Sequence, residues 1–596
     1  MASDLSLTEA LIREHSEPES FRRGQEYYRD GAVRWITRCG DAIEAEVEGS
    51  ALRPYQVSVT FDTAGVTSAA CTCPYDWGGW CKHVVATLLM CLHEPQAIEE
   101  REPLETRLAG LSAEQLREVL LRIADTDSQT AAVIERHLEF LAPARPEASD
   151  EVAATNKDGR TDGRAVRKAV RGVLHSLDRM RASEAYWHVG SVVDEVREVL
   201  WQARERLDAG DGDGALAVLE AVTEAYLADW EWLDDSDGEA SGFFEDLACA
   251  WMEALLTADL TPAEGNAWAA KLESWADDLE KYGLSETLSI ASLAASRRWD
   301  NPALQTVLQG MLPDDAGALG ALVAEPRQLV MARLNVLERQ GRLEEYLRLA
   351  RVTGQTEAYA TMLVRLGRVK EAVDYGREHL ETAVGALRLA QGLRERGALN
   401  EALEMAEHGT LLPGPRAGLA TWLCDLARGM GQTETALHAS VLAFRERPEL
   451  GAYLSAKELA RADWDSLRDE LLADLRAAQA PCPAGHVEVF LHEGLIADAI
   501  AAVKGAWDYR LVERVAKAAI EAHPDWVIDT CRKQAEAIMN AARAELYDAA
   551  VRWLEHAREA YRVAGREDDW RVYLQGLVVR HTRKHKLRPM LEALGS

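Results

Sequence analysis

The chain has 596 residues, 47% of them apolar and 28% charged, with a mean hydropathy of -0.23. This is the make-up of a soluble globular protein with chain enough for about four domains, and it excludes a collagen-like or wholly disordered polypeptide. The 67 Lys and Arg are outnumbered by 99 Asp and Glu, a formal net charge of -32, which excludes long-range attraction of the whole molecule to nucleic acid or an anionic membrane.

Met1–Thr8 lacks the basic and apolar regions of a signal peptide, and no run of about 18 apolar residues occurs, so a cytoplasmic location without a membrane segment is expected. Residues 17–30 place Phe21, Tyr27 and Tyr28 among charged residues and read as a short amphipathic helix. The period then changes to two over Ala32–Cys39, Ala42–Val47 and Tyr55–Phe61, with Gly and Asp punctuating the segments, which predicts a small antiparallel meander of three or four strands. From Val84, the positions Val84, Leu88, Cys91 and Leu92 follow a helical stripe that packs back on the sheet. This first domain is expected to span residues 1–96.

Between the sheet and that helix lies Cys71-Thr-Cys73-Pro-Tyr75-Asp-Trp77-Gly-Gly-Trp80-Cys81-Lys82-His83, a C-x-C-x7-C-x-H arrangement. Four N/S donors close a tetrahedral zinc shell with no open position, the pattern of a structural rather than a catalytic site. The C-x-C at a strand end lets two thiolates converge, Pro74 and Gly78-Gly79 turn the chain back, and His83 opens the helix. One structural Zn2+ held by Cys71, Cys73, Cys81 and His83 is therefore expected. Cys91-Leu-His93 repeats the C-x-H spacing, but Cys91 fits the apolar stripe and two further ligands would overfill the shell. The other five cysteines, Cys39, Cys249, Cys424, Cys482 and Cys531, are scattered singly and are expected to be buried and reduced.

This motif, following a strand and leading into an apolar helix, resembles the SWIM zinc finger. Arg23-Gly-Gln-Glu-Tyr-Tyr28 upstream, Cys73-Pro-Tyr-Asp-Trp-Gly-Gly79 in the loop and Cys81-Lys-His-Val-Val-Ala-Thr-Leu-Leu89 are similar to the bacterial branch of that family, including the finger attached to some SNF2-type helicases. The resemblance implies zinc and a role in binding DNA or protein.

Residues 97–142 read as a helical extension, 143–163 as a linker rich in Pro, Gly and charge, and 164–596 as almost continuously helical. Gly341-Arg-Leu-Glu-Glu-Tyr-Leu, Gly367-Arg-Val-Lys-Glu-Ala-Val, Gly397-Ala-Leu-Asn-Glu-Ala-Leu and Gly431-Gln-Thr-Glu-Thr-Ala-Leu recur at spacings of 26, 30 and 34 residues, with Leu495–Ile500 and Leu546–Val551 as further copies. A Gly closing one helix and a small residue where the next crosses it predict degenerate, tetratricopeptide-like helix pairs. The fold class is mainly α: a small N-terminal α+β zinc-binding domain followed by a long α-helical solenoid.

Other candidates carry less. Asp234–Glu239 has no EF-hand register and reads as a solvated turn. The basic runs at 580–588 and at Arg164, Arg167, Lys168, Arg171, Arg179 and Arg181 read as solvated faces. No Walker loop, H-E-x-x-H, G-x-S-x-G or dinucleotide fingerprint is present, so neither catalysis nor a small-molecule substrate is expected. Residues 1–100 carry 8 Lys+Arg against 16 Asp+Glu, whereas an autonomous DNA module is normally basic. The expectation is an adaptor that docks protein partners through the finger and the solenoid, with Tyr75, Trp77, Trp80 and Lys82 as contact residues. The alternative is a factor whose finger contacts DNA beside a helicase.

Overall fold

The computed structural model describes residues 7–49, 53–75, 79–102, 104–124, 163–178, 185–313, 315–477, 484–506, 508–541 and 543–595. The expected linker 143–163 lies, but for Gly163, outside them, as do Trp77, Arg179, Arg181 and Cys482.

The N-terminal region opens with helix α1 (Glu9–Glu14), whose Thr8 side chain caps the first turn by accepting from the Leu11 N–H at 3.2 Å. Helix α2 (Pro18–Arg29) follows, then strands β1 (Val33–Cys39), β2 (Ala42–Val47), β3 (Tyr55–Asp62) and β4 (Gly65–Cys71), and helix α3 (Lys82–His93). The four strands form the expected antiparallel meander, in register through Cys39↔Ala42, Val47↔Tyr55 and Val57↔Cys71. Alternation puts Ile43, Ala45, Val47, Val57, Val59 and Phe61 on one buried face, and α3 covers it with Val84, Val85, Leu88 and Leu89. Gly24 lets α2 close on α3, since a Cβ there would fall 2.4 Å from a Val85 methyl. A short β5 (Glu99–Glu100) pairs in parallel with β1, so the sheet runs past the expected boundary at residue 96. Two residues of strand carry too little periodicity to be read from sequence. Helices Leu104–Ala109 and Ala113–Ala124 lie within the expected extension 97–142, whose residues 125–142 are outside the described residues.

Beyond residue 163 the described chain is a succession of helices joined by short turns. Gly341, Gly367, Gly397 and Gly431 all take left-handed φ values between 69° and 75°, the helix-ending conformation that glycine adopts without a side-chain clash. The small residue of the recurring Glu-Ala pattern, at Ala372, Ala402 and Ala436, is fully buried, as are its counterparts Ala499 and Ala550. The repeats thus record one local constraint: a tight turn and a close helix crossing.

Two compact units result. One comprises residues 137–380 with 388–402, and the other joins residues 1–136 with 381–387 and 403–596. The finger region therefore shares a unit with the helices of residues 403–596. In the 137–402 unit, Trp251, Tyr226, Phe243 and Phe244 are fully buried, and the Trp251 indole N–H donates to Thr223 Oγ1 at 2.9 Å. The same unit buries the Arg333–Glu325 ion pair, with both side chains at most 1% exposed, and Arg333 also donates to the Arg298 carbonyl at 3.0 Å. Removing one member of such a pair strands a charge in the core, so Glu325→Ala is expected to destabilise this unit by about 3–5 kcal/mol, and the Glu325→Leu/Arg333→Met double variant by much less. Denaturant unfolding followed by tryptophan fluorescence checks both.

In the other unit, α1 packs against the Leu450–Ala460 helix, and the β3–β4 turn sits on the Ala417–Gly429 helix. Glu14, its side chain 3% exposed, faces Arg428 at 3.6 Å, and His15 Nε2 lies 2.6 Å from Asp425 Oδ2. Burial, followed by the Asp425 charge, raises the Glu14 carboxyl to about 7 against the opposing pull of Arg428 and His15. At His15 burial works downward, but the charge and hydrogen bond of Asp425 and the charge of Glu14 outweigh it and raise the imidazole. Both groups hold their protons more tightly when folded, so their contribution is complete below the unfolded values and is lost as pH rises through the folded ones. The urea midpoint of the full chain is expected to fall as pH rises from about 4.5 to 7, and Glu14→Gln to flatten that slope.

Candidate metal centre

Local structure delivers each donor. Cys71 ends β4 opposite Val57, and the next residue is pinned to β3 by two 3.0 Å hydrogen bonds, Thr72 N–H to the Gln56 carbonyl and Gln56 N–H to Thr72 Oγ1. Cys73 follows in the turn, Gly79 takes a left-handed φ of 69°, and Cys81 is the N-cap of α3, with His83 in the first helical turn. The donor atoms of Cys71, Cys73, Cys81 and His83 all lie within 4.8 Å of one another. His83 Nδ1 is 3.7 Å from Cys71 Sγ and 3.8 Å from Cys81 Sγ. With Zn–S near 2.3 Å and Zn–N near 2.0–2.1 Å, a tetrahedron requires an S···N edge of roughly 3.6 Å, so the observed spacing fits the ion.

The protonation pattern agrees. A hydrogen bond from the Cys71 thiol pulls Cys81 down to about 4, while Cys71, as donor, is pushed far above its usual range and burial pushes Cys73 up. Three adjacent thiols without a cation share a single negative charge; a divalent metal lets all three ionise. Backbone N–H groups of Cys73, Tyr75 and Val84 point at the sulfurs of Cys71, Cys73 and Cys81 in turn and favour their thiolates. The positive end of the α3 dipole adds to this, since three thiolates and a neutral imidazole around Zn2+ leave a net charge of -1.

His83 is held by aromatic walls, with the Tyr55 ring 4.5 Å and the Tyr27 ring 5.5 Å away. Its Nε2 is buried with no hydrogen-bond partner among the described residues. Gly49 lies against both: a Cβ there would meet the Tyr55 ring at 2.4 Å and His83 Nε2 at 3.1 Å. Tyr27, Gly49 and Tyr55 were not legible as site residues in the sequence, because they come from three separate elements that meet only when α2 and the sheet pack on α3.

The competing C-x-H pair is excluded by position. Cys91 is buried in the finger core, where desolvation raises its thiol to about 12, and His93 is exposed. Of the scattered cysteines, Cys424 and Cys531 are buried as expected, Cys39 is half-buried, and Cys249 is exposed, which corrects the expectation for that residue: it occupies an outward position between buried Ala248 and Ala250. Three of the four expected contact residues are engaged internally, and Trp77 lies outside the described residues. Trp80 stacks on the His15 ring at 4.7 Å, Lys82 Nζ lies 4.5 Å above the Tyr27 ring, and Tyr75 packs half-buried on the finger core. The Asp234–Glu239 turn is a helix cap, in which Asp235 Oδ1 accepts from the Ala240 and Ser241 N–H groups at 2.8 and 3.1 Å.

A strand end, a glycine-turned loop and a helix start converging on four soft donors define a closed, structural zinc finger. Residues 55–92 match the family model of the SWIM zinc finger, and the chain carries that finger with one structural zinc. The chain is 33% identical to the zinc finger SWIM domain-containing protein 8 homolog of Drosophila melanogaster over 140 residues, 23% of this chain and 7% of the fly protein. It is 31% identical to zinc finger SWIM domain-containing protein 8 of Homo sapiens over 139 residues, 22% of this chain and 8% of the human one. The chain thus spans a tenth or less of the length of these relatives. A solved circular tandem repeat protein with novel repeat topology and enhanced subunit contact surfaces aligns with 72% of this chain and 96% of its own at 17% identity, but with a TM-score of 0.18.

Purified protein is expected to contain one zinc per chain. Cys73→Ser should lose the metal and unfold the finger, structural zinc being worth on the order of 10–16 kcal/mol in small finger peptides, whereas Cys91→Ser should keep a full equivalent. Elemental analysis with circular dichroism decides both.

Proposed function

We propose that this protein is a non-catalytic zinc-finger adaptor that docks protein partners through its finger domain and its paired helices. The observation that carries the reading is the commitment of its cations. In the finger, Arg22 pairs with Glu19 and Glu26, Arg34 with Glu48, and Lys82 with the Tyr27 ring, leaving an acidic domain with few positive groups to release counterions from a nucleic acid. The basic run near the C-terminus is similarly employed. Arg580 pairs with Glu536 at 3.2 Å, Arg588 with Glu592 at 2.7 Å, and Lys584 and Lys586 cap carbonyls of Met539 and Ala544. Arg167 and Arg171 face Glu224 and Asp229 at 2.7 and 3.3 Å. A closed four-donor shell has no open position for substrate, which supports a scaffold rather than an enzyme. Tandem helix pairs build extended surfaces of the kind used to hold other proteins.

No helix among the described residues is long and apolar enough to cross a membrane. The nucleic-acid alternative makes an opposite prediction about salt. Duplex and single-stranded DNA are expected to bind more weakly than micromolar at about 150 mM salt, and protein partners to be retained after nuclease treatment between 50 and 200 mM salt. Micromolar or tighter DNA binding at the higher salt, lost on Lys82→Ala, reverses the ranking.

A further inference from the structure

The zinc loop does more than close on its metal: its last two residues before Cys81 hold the segment that ties the finger to the helices of residues 403–596. The Trp80 N–H donates to the His15 carbonyl at 2.6 Å, and the Trp80 ring stacks on the His15 imidazole with an interplanar angle of 25°. Gly79 lies against the same carbonyl, so closely that a Cβ would fall 2.7 Å from its oxygen. The imidazole held in this way meets Asp425 on the Ala417–Gly429 helix at 2.6 Å, and the preceding Glu14 meets Arg428 of that helix. A single residue, Trp80, therefore separates a metal ligand from the contact with a helix more than three hundred positions along the chain.

The helical side is shaped to receive the finger. At Gly429 a Cβ would lie 1.8 Å from the Ala64 carbonyl oxygen in the β3–β4 turn, and at Gly451 it would lie 2.8 Å from Glu14 Cα. Both contacts are with backbone, which cannot swing aside. Ala64 is 3% exposed. The ion pairs between these glycines carry buried atoms without hydrogen-bond partners among the described residues, namely both Glu14 carboxylate oxygens, Asp425 Oδ1, and Nε and Nη1 of Arg428. Such a contact gains little from its charges alone and depends on the groups being held in place.

We infer that zinc binding and docking of the finger on the 403–596 helices are energetically coupled through the Cys81–Trp80–His15–Asp425 chain, so that metal loss releases the finger and undocking loosens the metal. With zinc bound, the Gly79–Trp80 backbone has one geometry and presents one grip to His15. Without it, the loop loses its fixed end at Cys81, and the imidazole loses the stack and the hydrogen bond that aim it at Asp425. The coupling is a property of this intramolecular contact and does not rest on which partner the protein docks.

Reciprocity supplies a test at a distance from the metal. Gly429→Ala and Gly451→Ala each replace glycine by the strongest helix former, which favours their own helices, while driving a methyl into the finger backbone. Gly576→Ala in the Glu567–Arg580 helix makes the same exchange where nothing lies within 4 Å of the new Cβ. In the full-length protein, zinc affinity measured by equilibrium competition with a chromogenic chelator is expected to be about 5- to 150-fold weaker in the Gly429→Ala/Gly451→Ala double variant, the usual range for coupled sites, and unchanged in Gly576→Ala. In the other direction, stripping zinc from the wild-type chain should raise amide exchange at least fivefold over 417–429 and 450–460 and leave 567–580 unchanged. Wild-type zinc affinity in the double variant overturns the coupling, as does undiminished amide protection of both helices in the stripped protein.

Discussion

Everything distinctive about the N-terminal domain of this molecule follows from the need to bring three sulfurs and one imidazole nitrogen to the corners of a tetrahedron. A strand end can supply two thiolates one residue apart, and a helix start can supply a thiolate and an imidazole one residue apart, but the two pairs face each other only if the intervening chain reverses. Pro74 and the left-handed Gly79 achieve that reversal. Once closed, the loop fixes where α3 begins, and the start of α3 fixes which of its faces covers the sheet. The metal thus sets the geometry of a domain whose apolar core, built from eight strand residues, the covering helix α3 and a few residues of α1 and α2, is small.

The same closure reaches outward. Trp80 stands between a ligand and the contact with the helical unit, and it stacks on His15 instead of presenting its ring for binding. The sheet edge and α1 reach the 417–429 and 450–460 helices because glycines there remove the side chains that would hold them off. The finger is therefore a built part of a larger unit, and its exposed chemistry is what remains after its cations and one of its aromatics have been used internally. This favours recognition by shape and apolar contact over recognition of phosphate.

The two compact units solve the burial of charge differently. Arg333 and Glu325 sit together in the core of one and pair with each other, with the Arg298 carbonyl taking a further donor and Arg333 Nε alone left without a partner among the described residues. Glu14, His15, Asp425 and Arg428 in the other form a cluster with two carboxylates, a guanidinium and an imidazole, in which several buried atoms find no partner among the described residues. The first arrangement holds one structure firmly, and the second makes the strength of a contact depend on proton and metal.

Much of this could be read before any coordinates. The four ligands, the meander, the covering helix and the recurring Gly turns are all local: each depends on residues within a dozen positions of one another, and spacing and period carry that information. The zinc set stood out because C-x-C and C-x-H leave few other geometries, and Cys91 dropped out because it continues an apolar stripe. Short-range pattern could not reveal β5, whose two residues have no periodicity of their own, or the outward position of Cys249. Nor could it reveal that Tyr27, Gly49 and Tyr55 enclose His83, or that His15 serves Asp425. Those pairs are far apart in the chain, and a glycine in a helix reads as a weak point until the backbone that needs its space is known. Local chemistry was decided by the sequence alone; which distant surfaces meet was decided by packing, because steric fit between remote backbones leaves no trace in the order of residues.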